Sequence, residues 1–350
     1  MKMKRALIIS GVNWNSTWQR HQETAKLLAE SGYQVDFLQG LKTSRISVKK
    51  LLNIILKNKC VEQENPKAEH VHIETAIQIP PMRVSRIINY ILYKLFHNRI
   101  DRKHYDIVLS YVPVDINFFI NKSESTFVYD VIRAFKVWGG YTNSLYSNED
   151  ELLNVADKII CDSFYLKDKY LSSYNVQHLI TPLDKPILKH EKIVNKIKSI
   201  AYFGTVSSHV DTELLNCLGE KYKVMVWGVL DSGLELENVE YMGYESDQTI
   251  LMNDIVNNSD CIIIPYVGNM DGVFPAKLLM SLYSKLPIFS SSFYDTEKMN
   301  DMVYVYKNKE HLFQMIKDFE ESQHNLKLIK INDFINGVSK KNYINGILND

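Results

Sequence analysis

The sequence lacks most of what would commit it to disulfide, metal or membrane-spanning chemistry. Its four cysteines, Cys60, Cys161, Cys217 and Cys261, are scattered through 350 residues with no C-x-x-C pair, which excludes a zinc ribbon or a thioredoxin-type redox motif. Cys161 and Cys261 stand in the apolar runs KIICDS and DCIIIPY, where a thiol acts as a small hydrophobe. That usage fits a reducing cytoplasm. There is no Asp-x-Asp and no His/Cys cluster at ligand spacing, so neither a metal nor another cofactor is expected. No apolar run approaches the ~18–20 residues that span a bilayer. The opening MKMKRALIISGV continues into NWNSTWQRHQ rather than a small-residue cleavage site, and reads as a first strand rather than a secretory signal. Charge of one sign is also missing. Lys+Arg and Asp+Glu balance at 41 each, so the chain has no global positive field to draw nucleic acid, and any basic surface is local.

What is there is an alternation. Short β-branched runs alternate with helical periods, the pattern of βα units around parallel sheets. In the first half the expected strands are RALIISG, YQVDFLQ, HVHIETAIQI, YDIVLSYVP, STFVYDVI and DKIICDS. The first helix reads TWQRHQETAKLLAESG, with Ala25, Leu27 and Leu28 inward and Gly32 as its stop. A polar stretch with two prolines and many lysines, residues 181–199, interrupts the pattern. The alternation then restarts with IAYFGTV, YKVMVWG, NVEYMGY, DCIIIPY, LPIFSS and MVYVYKN, and residues 308–348 read as helical. The expected fold is α/β, with two Rossmann-like doubly wound domains facing across a cleft. The expected boundaries are a first domain at 1–184, a linker at 185–198, a second domain at 199–328 and a C-terminal helix at 329–350 packing back toward the first domain. Strand carboxyl ends place a ligand in the crevice.

Two basic segments break the pattern. Residues 41–60 carry Lys42, Arg45, Lys49, Lys50, Lys57 and Lys59 without an acid, with Val48, Leu51, Leu52, Ile55 and Leu56 on one helical face. Residues 83–104 set Arg83, Arg86, Lys94, Arg99, Arg102 and Lys103 around Ile87, Ile88, Ile91, Leu92, Leu95 and Phe96. Either the apolar faces pack on the sheet and the charges are solvated, or the segments bind an anionic membrane surface at about 1 kcal/mol per basic residue.

Chemistry is expected at two places. In the second half, DCIIIPYVGNMDGVFPAKLLMSLYSKLPIFSS reads as strand, loop, helix opened by Pro275, and strand. Lys277 lies in that helix's first turn, where a cation opposes the dipole by ~0.3–1 kcal/mol. It either snorkels to solvent or faces an anion held by the free N–H groups. Gly204 and Thr205 end an earlier strand, where backbone amides approach an anion closely or simply form a βα turn. In the first half, Asp130 ends an apolar strand, as a general base or as a turn cap. Trp14, Arg20 and His21 follow the first strand and line the crevice, with Trp18 and His21 alternatively packing against the sheet.

The Pro275 segment resembles the donor-binding segment of GT-B glycosyltransferases, in particular the branch of xanthan-type glucuronosyltransferases and teichuronic-acid transferases. That branch reads Pro-x-Lys-x-x-Glu-Tyr-x-Ala-x-Gly-x-Pro; Pro275, Lys277 and Pro287 match, while Met280, Ser281, Tyr283 and Lys285 depart from it. WNSTWQRHQ is similar to the branch's first βα unit, STFVYDVI to its "YD" strand end, and NVEYMGY with DCIIIPY to its later strands. The resemblance implies a metal-independent transferase moving a sugar from a nucleotide-diphosphate donor, a UDP-sugar being favoured, to a lipid-linked or oligosaccharide acceptor. It places that work at the inner face of a bacterial membrane during surface polysaccharide synthesis. It also implies that the first domain binds the acceptor, with Trp14, Arg20 and His21 on that side, and that the second binds the nucleotide sugar, with Lys277 on the diphosphate and Gly204, Thr205, Tyr266, Asn269, Asp271, Met280 and Ser281 around the donor. Retaining relatives carry two glutamates where Gly272 and Met280 stand, so inversion is implied, with Asp130 as base. Two rivals share the architecture: a nucleotide-sugar epimerase, and a degenerate transferase acting as an assembly partner.

Overall fold

The computed structural model describes the chain apart from residues 1–2, 17, 42–64, 66–67, 79–84, 102, 114, 116–124, 232 and 350. Two compact units emerge: Met1–Thr181 together with Lys340–Asp350, and Pro182–Ser339.

The first unit holds a seven-stranded sheet built from β1 (Lys4–Ile9), β2 (Tyr33–Gln39), β3 (Val71–Thr75), β4 (Ile107–Ser110), β5 (Thr126–Val131), β6 (Lys158–Cys161) and β7 (Val176–His178), in the order β3-β2-β1-β4-β5-β6-β7. Every pairing is parallel. Parallel strands need crossover connections that cover both faces, so the strands are apolar on both sides. On β1, Leu7 and Ile9 enter one core cluster while Ala6 and Ile8 enter the other, as the two-residue period of a strand requires. Counting helices of eight residues or more, α1 (Arg20–Glu30), α2 (Ser85–Phe96) and α3 (Asn143–Val155) belong to this unit. Gly32, with φ at +89°, lets the chain turn from α1 into β2.

The second unit repeats the plan with β8 (Ser199–Phe203), β9 (Lys223–Trp227), β10 (Glu240–Gly243), β11 (Cys261–Ile264), β12 (Ile288–Ser291) and β13 (Tyr304–Tyr306), ordered β10-β9-β8-β11-β12-β13 and again parallel. Its helices are α4 (Thr212–Gly219), α5 (Gln248–Asn258), α6 (Ala276–Ser284), α7 (Lys309–Lys317) and α8 (Glu321–Gly337). α9 (Lys340–Leu348) returns to the first unit, where Tyr343, Ile344 and Ile347 are buried in the same cluster as Ala25 and Leu28 of α1. The stretch 185–198, expected as a linker, belongs to the second unit, which begins at Pro182, and has no helix or strand. α8 also stays with the second unit, so only the chain from Lys340 onward crosses over.

The twelve strands read from the sequence all form. The thirteenth, Val176–His178, is a three-residue edge strand whose Gln and His gave no apolar signal. α2 does not pack its apolar stripe on the sheet. Tyr93 is buried, but Ile87 is 70% exposed, Ile91 51% and Leu95 69%, and these three share one face at four-residue spacing. The basic segment expected at 41–60 lies, past Leu41, outside the described residues. Among the described residues no helix is long and apolar enough to cross a membrane.

Candidate active site

In each sheet the chain reverses direction between the first strand and its later neighbour, at β1/β4 and β8/β11. Open α/β sheets bind ligands at the carboxyl ends of the strands beside such a switch point. In the second unit the candidates fall at this point; in the first, Arg20 follows β1, while Asp130 lies near the carboxyl end of β5, one strand beyond β4.

In the second unit, β8 is followed by Gly204, whose φ of +104° is open only to glycine at low cost. Space demands glycine as well, because a Cβ there would lie 2.9 Å from Cε and 3.0 Å from Nζ of Lys277. The lysine side chain therefore lies along bare backbone. Pro275 occupies the N-cap of α6 with φ −72° and ψ 123°, and neither a capping side chain nor an acidic first-turn residue accompanies it. Its missing N–H costs nothing at a helix start, and the first-turn amides keep their partial positive charge. Lys277 adds a full one. Its Nζ sits 3.8 Å from the ring centroid of Tyr202, 5.3 Å from that of Tyr266 and 5.9 Å from that of Phe203, so three aromatic faces stabilise the cation. The Tyr202 ring is fixed by its hydroxyl, which donates to the carbonyl of Thr205 at 2.8 Å. Among the described residues no carboxylate pairs with Lys277. Burial without a counter-charge pushes its pKa down to about 7.

The remaining donor candidates spread out. Asn269 Oδ1 accepts from the Asp271 amide at 2.9 Å, and Asp271 Oδ1 accepts from the Tyr294 amide at 3.4 Å, so both shape the loop between β11 and α6. Ser281 Oγ donates to the Lys277 carbonyl at 2.8 Å, and Met280 and Ser281 are buried within α6's packing face. The structure thus gathers Gly204, Tyr266 and Lys277 around one point, places Thr205 beside them through its carbonyl, and leaves Asn269, Asp271, Met280 and Ser281 in supporting contacts. Tyr202 and Phe203 escaped the sequence reading because they read as apolar strand residues.

In the first unit, Arg20 opens α1 beyond β1, and its Nη2 donates to both oxygens of Asp130 at 2.7 and 2.8 Å. Its Nη1 lies 2.6 Å from Asp162 Oδ2, just past the end of β6. One guanidinium therefore bridges two carboxylates from neighbouring strands. Asp130 is wholly buried, which pushes its pKa up to about 7 against the pull of Arg20, with Asp162 pushing the same way. His21, expected on the acceptor side, is buried and stacked on Tyr111 at 3.9 Å, with Nδ1 2.8 Å from Ser10 Oγ. Burial and the neighbouring Arg20 push its pKa down to about 3, so the ring is neutral. Trp14 is a core residue, edge-on to Phe37 and Trp18. Sequence reasoning named Arg20 and Asp130 as separate candidates without pairing them, and it missed Asp162, whose partner is remote along the chain. Among the described residues no group of three or more His, Cys, Asp or Glu side chains is placed to hold a metal ion.

No protein-family model matches the chain, and no curated protein matches it by sequence. Solved structures do match over nearly its whole length. Sucrose-phosphate synthase from Thermosynechococcus elongatus aligns over 96% of both chains with a TM-score of 0.63 and 10% identity. The lipopolysaccharide outer core galactosyltransferase WaaB, in its apo form, aligns over 98% of this chain and 99% of its own, with a TM-score of 0.62 and 14% identity. Anabaena HepE in complex with UDP and glucose aligns over 95% and 98%, with a TM-score of 0.59 and 11% identity. The chain has the GT-B fold. In this GT-B chain the two carboxyl-edge sites, Lys277 in the second unit and the Arg20 pair of carboxylates in the first, occupy the strand ends that the fold reserves for ligands.

Proposed function

We propose that the chain is a glycosyltransferase that takes a nucleotide-diphosphate sugar on its second unit and an acceptor hydroxyl on its first. The observation that carries this reading is Lys277: a cation with no carboxylate partner among the described residues, in the first turn of α6, against Gly204 at the switch point. An ammonium in the first turn of a helix, beside its positive dipole end, suits a diphosphate leaving group, whose developing charge both stabilise. UDP is the favoured nucleotide, since HepE was solved with UDP and with UDP-glucose. The lipopolysaccharide enzymes among the structural neighbours, WaaB and WaaG, support a lipid-linked or oligosaccharide acceptor in bacterial surface polysaccharide synthesis. With Gly272 and Met280 where retaining relatives carry glutamates, the proposed reaction inverts the anomeric centre, and Lys277 with the helix amides serves in place of a metal. The exposed stripe of α2, with Lys94 exposed on the same helix, supports peripheral attachment to an anionic membrane surface.

A thermal-shift panel of nucleotides and nucleotide sugars tests the reading, because a ligand at ~100 times its Kd stabilises by about 2.7 kcal/mol. The expected result is a rise with UDP and with one or more UDP-sugars that is absent in Lys277→Ala. Silence across all nucleotides contradicts it. Incubating a stabilising donor alone separates a transferase, which releases a little nucleotide, from an epimerase, which converts the sugar.

A further inference from the structure

We infer that Asp162, rather than Asp130, is the carboxylate that takes the acceptor's proton, and that Asp130 and Arg20 are its positioning residues. The inference rests on the transferase reading above and assigns a role within it. β5 and β6 run side by side with Val131 opposite Cys161, so Asp162 is the first residue past the paired strands, at the carboxyl edge of the sheet. Both carboxylates turn toward one guanidinium, but they are not equivalent. The Asp130 side chain is 0% exposed and both of its oxygens accept from Arg20 Nη2, so it has no surface to offer a bound molecule. The Asp162 side chain meets Nη1 through Oδ2 and keeps 15% of its surface open. Of the two carboxylates, only Asp162 keeps open surface.

The surroundings suit a base. Arg20 faces Asp162 from α1, Asp130 from β5 and His178 from β7, with the His178 ring nitrogen 2.7 Å from the Asp162 carbonyl. Tyr111 and Tyr343 also lie near Arg20 and Asp130. Two carboxylates on one guanidinium leave an excess negative charge when both are ionised, which raises the proton affinity of the pair. Burial pushes the Asp162 pKa up, opposed by Arg20 and His178. A carboxylate so placed accepts a proton more readily than an exposed one.

The step balances as follows. The acceptor hydroxyl's proton moves to an Asp162 oxygen while that hydroxyl's lone pair forms the bond to the anomeric carbon. The bond from the anomeric carbon to the diphosphate oxygen breaks, and its electron pair leaves on the nucleoside diphosphate. With water as acceptor the same step is slow donor hydrolysis.

Hydrolysis makes the assignment testable without an identified acceptor. UDP release from a panel of UDP-sugars would be followed from pH 5 to 9 in the full chain, its Asp162→Asn, Asp162→Ala and Asp130→Asn variants, with melting temperatures and UDP Kd measured beside it. The expected result is a loss of about 100-fold or more in Asp162→Asn, with unchanged UDP affinity and no acidic limb in its pH profile, and partial rescue of Asp162→Ala by formate. Asp130→Asn keeps release within about tenfold, and its acidic limb moves to lower pH because a negative neighbour has gone. Release by Asp162→Asn at the wild-type rate overturns the assignment, and so does an acidic limb abolished by Asp130→Asn alone. A wild type that binds UDP but hydrolyses no donor also overturns it, since a base open to water would activate water. Failure of the wild type to bind UDP instead removes the transferase reading beneath it.

Discussion

Lys277 carries the proposal because the fold holds an ammonium where unliganded protein gains little from it. Its pKa falls from the ordinary 10.5 to about 7 through burial, so the cost of keeping it charged is fully felt below pH 7 and fades as the pH rises toward 10.5. Lys277→Met is therefore expected to stabilise the unliganded chain at pH 6 by roughly 1–2 kcal/mol after allowance for partial exposure, read as a higher melting temperature, and to lose that advantage by pH 10. The bound diphosphate needs the charged form, so UDP affinity in the wild type is expected to weaken about tenfold per pH unit above 7. A pH-independent Kd between 7 and 9 would count against the contact. Gly204→Ala puts a methyl against the lysine at a positive φ, which costs about 1–3 kcal/mol. It is expected to weaken UDP binding as well as lower the melting temperature. At this scale the sequence showed Lys277 because a cation in a helix's first turn is locally anomalous. It could not show Asp162 or Tyr202, whose importance comes from partners on other strands.

At the scale of elements, the strands were legible because β-branched runs on strands buried on both faces leave little ambiguity. Only β7 failed to announce itself, having three residues, two of them polar, at the sheet edge. α2 was legible as a helix but not in its orientation. Periodicity gives an apolar stripe without saying what it faces, and here Ile87, Ile91 and Leu95 face outward. Replacing all three with serine is expected to change the melting temperature little, since exposed side chains contribute little to folding. The same variant is expected to abolish co-sedimentation with vesicles containing anionic phosphatidylglycerol. Equal sedimentation of wild type and variant would remove α2 from the membrane proposal.

Across the whole molecule, composition and the restart of the βα pattern after residue 199 were enough to read two doubly wound units. A C-terminal helix packing back toward the first domain was expected over 329–350; that only α9, from Lys340 onward, belongs to the first unit depends on contacts distant in sequence. Tyr343 lies 2.7 Å from Thr24 on α1, and a Cβ at Gly346 would press 2.7 Å from Leu179, so the helix fits a tight seat. Ending the chain at Ser339 is expected to unfold the first unit at a temperature where the second persists, splitting one calorimetric transition into two or widening their separation. An unchanged calorimetric profile would show that α9 adds nothing to the first unit's core. The central claim, that a nucleoside diphosphate binds where α6 begins, is tested most directly by calorimetric titration of UDP into the wild type and Lys277→Ala at pH 6.5. The account predicts binding to the wild type and a loss of about 100-fold or more in the variant, as expected when a charge-assisted contact worth ~1.5–3 kcal/mol goes together with the cation's field. Equal affinities, or no binding by either, would contradict it.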